Sequence, residues 1–161
     1  SQGHGAEQTP QALQNSCNIA FAHIALKLGG EKFYEYIEKF NYGSVTGVDF
    51  NGEAQGMVLP KQSIQNSDLA RISFGQAIAC TPLQLLMATS SAINGGYLYS
   101  PYLVKEVYSS GGALSSVTEP RRVSTVIDSK TSAIIRSYLE KVVSENFKRI
   151  KLLQTNKALI L

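Results

Sequence analysis

The stretch that most limits the possible folds runs from Leu83 to Ile93, LQLLMATSSAI, eleven residues without a charge. Thr81-Pro82 in front of it offers a hydroxyl N-cap and a proline at the first helical position, and Asn94-Gly95-Gly96 behind it ends a helix. A helix that is apolar most of the way round is expected to lie buried, so the rest of the chain has to surround it. With 161 residues there is enough chain for one domain with a genuine core. A content of 43% hydrophobic and 17% charged residues excludes a solvated, disordered tail.

Flanking segments follow the same logic. Thr9-Pro10 repeats the cap-and-proline device, and Ile19, Ala20, Phe21, Ile24, Ala25 and Leu28 keep a helical period up to Gly29-Gly30. Glu31 to Phe40 reads as a second helix with Phe33, Tyr36, Ile37 and Phe40 on one face. From Asn41 to Asn66, Gly43, Gly47, Gly52, Gly56 and Pro60 punctuate short apolar pieces and predict an irregular excursion. Tyr102–Tyr108 and Ala113–Thr118 around Ser109-Ser110-Gly111-Gly112 predict a hairpin, and a last helix is expected from Ser129 to Val143.

Several chemistries are excluded early. Cys17 and Cys80 make neither a disulfide framework nor, with His4 and His23, a ligand set of metal-binding spacing, so no metal and no cofactor is expected. No run of about 18 apolar residues is present, and the polar SQGHGAEQTP start is no signal sequence. The net charge of +3 is local. Lys148, Arg149, Lys151 and Lys157 lie in residues 147–161 without an acid, and the other 146 residues hold 11 basic against 12 acidic side chains. That distribution is not a nucleic-acid-binding face.

The pieces then fall into a series: His4-Gly5; Ser16-Cys17-Asn18-Ile19-Ala20-Phe21; Gly43 through Thr46-Gly47-Val48-Asp49 with Gly52-Glu53; Ser73-Phe74-Gly75-Gln76; Thr81-Pro82-Leu83-Gln84-Leu85; and Ala92-Ile93-Asn94-Gly95-Gly96 with Pro101. In this order they resemble the transpeptidase domain of class B penicillin-binding proteins, most closely the spore-cortex and septal members, over about residues 3 to 146. The resemblance implies a penicillin-recognising, β-lactamase-like α/β fold, here its helix-rich lobe plus a β-hairpin with an incomplete central sheet. It also implies acyl transfer on peptidoglycan stem peptides, binding of β-lactams, and a place on the extracytoplasmic face of the bacterial membrane, reached through a tether absent from this stretch.

Of the three motifs such a site uses, the resemblance places one here: Ser16 and Asn18 as its S-x-N, the serine relaying protons and the asparagine holding lysine or substrate. On spacing alone the same two residues also read as caps of a helix start. No lysine has a serine three positions before it, so the S-x-x-K nucleophile is expected ahead of residue 1, and K-T-G after about residue 146. Lys130-Thr131-Ser132 carries serine where glycine is needed and opens a helical pattern, and Ser144-Glu145-Asn146 matches S-x-N by spelling only. The reading is therefore a partial domain, 1–146, inactive alone, with a divergent basic tail, 147–161. The tail is read as accidental translation in a truncated or frame-shifted product, the alternative being an amphipathic segment docked on the domain or a membrane. A lobe this incomplete is expected to self-associate. From a different class, a non-catalytic binding or scaffolding protein derived from that lobe is the other reading. His4, His23 and the Tyr97, Tyr99, Tyr102 group are expected to be solvated or packed rather than functional.

Overall fold

In the computed structural model the backbone is described for residues 5–158 and side-chain surroundings for residues 5–145, so His4 and the side chains of the 147–161 segment lie outside the described residues. Six α-helices are present among the described residues: α1 (Thr9–Gln14), α2 (Asn18–Leu28), α3 (Gly30–Lys39), α4 (Asn66–Ser73), α5 (Pro82–Ile93) and α6 (Ser129–Ala158). Two separate antiparallel strand pairs accompany them. In one, β1 (Tyr97–Tyr99) pairs with β4 (Arg122–Thr125). In the other, β2 (Glu106–Tyr108) pairs with β3 (Leu114–Val117). The fold is thus helix-rich α/β with short strand pairs, as expected.

Around α5 the sequence reading is half right. Thr81 caps it as predicted: Gln84 N–H donates to Thr81 Oγ1 at 3.1 Å, and Thr81 N–H donates to Gln84 Oε1 at 2.8 Å. Met87 packs with Leu98 and Val126 into a core that Phe40, Leu83 and Ile127 close. Each such side chain contributes about 1.5–3 kcal/mol by leaving water. Yet the helix is not buried all round, because Leu85 and Leu86 remain 52% and 62% exposed. The residues present cover only one of its faces.

Gln84 explains how the irregular excursion is held. It is 1% exposed, and its carboxamide donates to the Ser44 carbonyl at 2.7 Å and the Gln55 carbonyl at 2.8 Å. Gly56 lies so close that a Cβ there would sit 2.5 Å from the Ala79 carbonyl, next to the Met57–Ala79 bridge. Gly96 is tighter: at φ +94° its missing Cβ would fall 1.9 Å from the Ile127 carbonyl, and only glycine fits.

Differences from the sequence expectation have local causes. Gln8, not Thr9, caps α1, through a reciprocal pair with Gln11. Strand β2 starts at Glu106 rather than Tyr102 because Leu103 and Val104 donate their N–H groups to Asp49, at 2.6 and 2.9 Å, instead of to a partner strand. Helix α4 lies in a stretch not read as helix, capped by Gln65 with Asp68 at N3. Helix α6 does not stop at Val143; no glycine or proline follows Ser129, and the helical backbone runs on to Ala158.

Candidate functional site

Ser16, Cys17 and Asn18 form the turn between α1 and α2. The turn is a Schellman motif: Cys17 N–H donates to the Ala12 carbonyl at 2.9 Å and Ser16 N–H to the Leu13 carbonyl at 3.2 Å. That geometry requires a left-handed residue at the first position past the helix, usually glycine. Ser16 occupies it with φ 48°. For a residue bearing a Cβ this conformation costs roughly 1–2 kcal/mol.

The capping alternative is not what these side chains do. Cys17 is the N-cap of α2 and makes no side-chain cap hydrogen bond, and Asn18 is already the first helical residue. Among the described residues neither the Ser16 hydroxyl nor the Asn18 carboxamide has a hydrogen-bond partner, and both are exposed. They line one cavity of about 210 Å³ together with Leu13, Phe21, Ser73 and Phe74. Helix α4 builds the far side: it packs along α2, and Ser73 turns its hydroxyl into its own helix, donating to the Ala70 carbonyl at 2.6 Å. Asn18 and Phe74 also border a second, apolar hollow of about 290 Å³ along α2, with His23 exposed at its edge.

Chemically this wall offers one hydroxyl and one carboxamide and no ionisable side chain. It can donate and accept hydrogen bonds and pass a proton along. It cannot by itself take a proton from a nucleophile at neutral pH. Among the described residues no group of His, Cys, Asp and Glu is placed to hold a metal ion.

The look-alike motifs fall elsewhere. Lys130-Thr131-Ser132 is the first turn of α6, where Asp128 accepts from Thr131 N–H at 2.7 Å and from its hydroxyl at 2.9 Å. Ser132, 1% exposed, accepts from Gly95 N–H at 3.0 Å and so locks α6 to the α5–β1 corner. Ser144 donates to the Lys141 carbonyl within α6. The tyrosines form no common platform: Tyr97 lies under the Arg122 guanidinium, 5.0 Å from the ring centre, and Tyr102 lines a separate cavity. Sequence reasoning alone did not assign Leu13, Phe21, Ser73 and Phe74 to the site. Phe21 had a signal, one helical turn after Asn18. Phe74 had none, because only the packing of α4 on α2 brings it there.

Comparison with known proteins bears on the chain as a whole. Residues 1–155 match the family model of the penicillin binding protein transpeptidase domain. Stage V sporulation protein D of Bacillus subtilis (strain 168) is 38% identical over 150 residues, which are 89% of this chain and 22% of that protein. Penicillin-binding protein PbpB of Mycolicibacterium smegmatis is 28% identical over 138 residues, 86% of this chain and 21% of that protein. The chain thus spans about a fifth of the length of these curated relatives. The crystal structure of penicillin binding protein 3 from Mycobacterium tuberculosis complexed with aztreonam superposes with a TM-score of 0.78 at 26% identity, covering 84% of this chain and 30% of that one. The D,D-transpeptidase domain from Eggerthella lenta has the same fold, with a TM-score of 0.79 at 22% identity over 88% of this chain and 38% of that one.

Proposed function

The chain belongs to the penicillin-binding protein transpeptidase family, and from that premise we propose that Ser16 and Asn18 form the S-x-N wall of a peptidoglycan D,D-transpeptidase cleft. The observation that carries this reading is Ser16 itself. Glycine would sit at the left-handed position without strain, but a serine stands there with its hydroxyl unbonded, lining a cavity next to a free carboxamide. Backbone strain retained at a polar residue fits a functional position better than a structural one.

In the proposed reaction a serine hydroxyl attacks the penultimate D-alanyl carbonyl of a stem peptide. A C–O bond forms, the C–N bond to the terminal D-alanine breaks, and the proton passes to the leaving amine. An amine of a second strand then attacks the ester and releases the serine. A β-lactam meets the same nucleophile, but its ring-opened nitrogen stays attached to the acyl group. Ser16 relays the proton near the attacking group, and the Asn18 carboxamide orients a lysine or the substrate backbone. These 161 residues contain no S-x-x-K and no K-T-G. The nucleophile and the third motif therefore come from segments outside them, and the chain by itself is inactive. The reaction belongs on the extracytoplasmic face of the membrane; no helix among the described residues is long and apolar enough to cross one.

A fluorescent penicillin tests this. The chain alone should take up no covalent label, whereas the chain joined in one polypeptide to the S-x-x-K and K-T-G segments of its sporulation relative should be labelled. In that fusion Asn18→Ala should slow labelling about 100-fold, the scale of losing one positioned polar group. Label on the chain alone, or a fusion indifferent to Asn18→Ala, would overturn the reading.

A further inference from the structure

The geometry points to a second binding site, for a neutral saccharide ring, in the cavity at Tyr102. It shares no lining residue with the Ser16–Asn18 wall and does not depend on that wall's role. The cavity measures about 280 Å³, room for a single small ring rather than an extended ligand. Its rim is held from three sides. Asp49 accepts from the Leu103 and Val104 N–H groups and so fixes the chain just after Tyr102. Ser100 N–H donates to the Arg121 carbonyl at 2.9 Å, and Thr118 N–H to the Lys105 carbonyl at 2.7 Å. A site anchored by backbone bonds at the ends of both strand pairs is organised before any ligand arrives.

The unsatisfied groups specify the ligand. Both Asp49 oxygens are taken by backbone N–H groups. Arg121 spends one N–H on the Ser100 hydroxyl, at 3.2 Å, and keeps the rest of its fork free. Among the described residues the Glu119 carboxylate and the Tyr102 and Thr118 hydroxyls have no hydrogen-bond partner. One free cation beside one free anion favours neither a phosphate nor an ammonium. Free donors and acceptors lining one cavity, two of them planar and bidentate, suit vicinal hydroxyls. The Tyr102 ring supplies the apolar surface that the C–H face of a pyranose covers.

Backbone amide NMR on the full chain tests it, with chitotriose and maltotriose as probes, and inorganic phosphate and trialanine as comparators. Either saccharide should cause saturable shifts confined to residues 100–104 and 117–121, with a Kd of about 1 mM. Glu119→Gln, at an exposed position without a partner, should leave the spectrum folded and weaken binding about tenfold. Tyr102→Phe, which keeps the ring but loses one free hydroxyl, should weaken binding by about threefold, and Tyr102→Ala, which removes both, should abolish it. The absence of shifts from both saccharides at ~20 mM would overturn the inference. So would shifts centred elsewhere, binding indifferent to Glu119→Gln, or equal responses to phosphate or trialanine.

Discussion

At Ser16, stability and chemistry pull apart, and substitution can separate them. Ser16→Ala keeps the Cβ and with it the left-handed strain, while Ser16→Gly removes both. The glycine variant should therefore be more stable than the alanine variant by about 1 kcal/mol, read from urea midpoints. Both should lose the hydroxyl and depress penicillin labelling equally in the fusion described above. A glycine variant no more stable than the alanine one would show that the turn does not hold the residue against its preference. Gln84 is the opposite kind of polar residue, structural throughout. Gln84→Ala empties a buried position, leaves the Ser44 and Gln55 carbonyls without their donor and removes the partner of Thr81 N–H. A loss of about 3 kcal/mol or more is expected, measured by denaturant unfolding.

Between elements, one carboxylate joins the 41–60 excursion to the approach of the β2–β3 hairpin. The N–H groups of Leu103 and then Val104 hold the Asp49 carboxyl below its usual value. Because the folded value lies below the unfolded one, the stability Asp49 contributes is fully present above about pH 4. It is lost as pH falls from there through the folded value. Asp68 and Asp128, lowered by Arg71 and by Thr131 respectively, add to the same acid-side loss. Asp49→Asn should lower stability at pH 7 and flatten the decline between about pH 5 and pH 3, followed by thermal melts across that range. An unchanged acid slope would remove Asp49 from the account. The same clamp explains why the hairpin strands are shorter than their apolar patterns suggest: side-chain acceptors compete with a partner strand for backbone donors.

For the molecule as a whole, the exposed apolar residues matter most. Leu85 and Leu86 on α5, Ile19 and Leu26 on α2 and Val143 on α6 all face solvent among the described residues. We predict concentration-dependent self-association, visible by light scattering, that Leu85→Lys with Leu86→Lys weakens at least about tenfold. A clean monomer over a wide concentration range would contradict it. Much of this molecule was legible in order: α2, α3 and α5 followed from apolar period and flanking glycines, α5's cap from Thr81-Pro82, and the hairpin's place from Gly111-Gly112. Motif order pointed to the family that the comparisons show. Other features needed the third dimension. The β1–β4 pair sets Tyr97 opposite Thr125 and Leu98 opposite Ser124, across the whole β2–β3 hairpin, and nothing local sets that register. Likewise Phe74 reaches Asn18 only because α4 lies on α2, and Ser16 adopts a backbone its residue type does not announce. Sequence by itself determined where α2, α3 and α5 coil and stop, since propensity, caps and breakers act within a few residues. Tertiary structure decided which faces meet and which polar groups stay unpaired, since those depend on contacts between segments far apart in the chain.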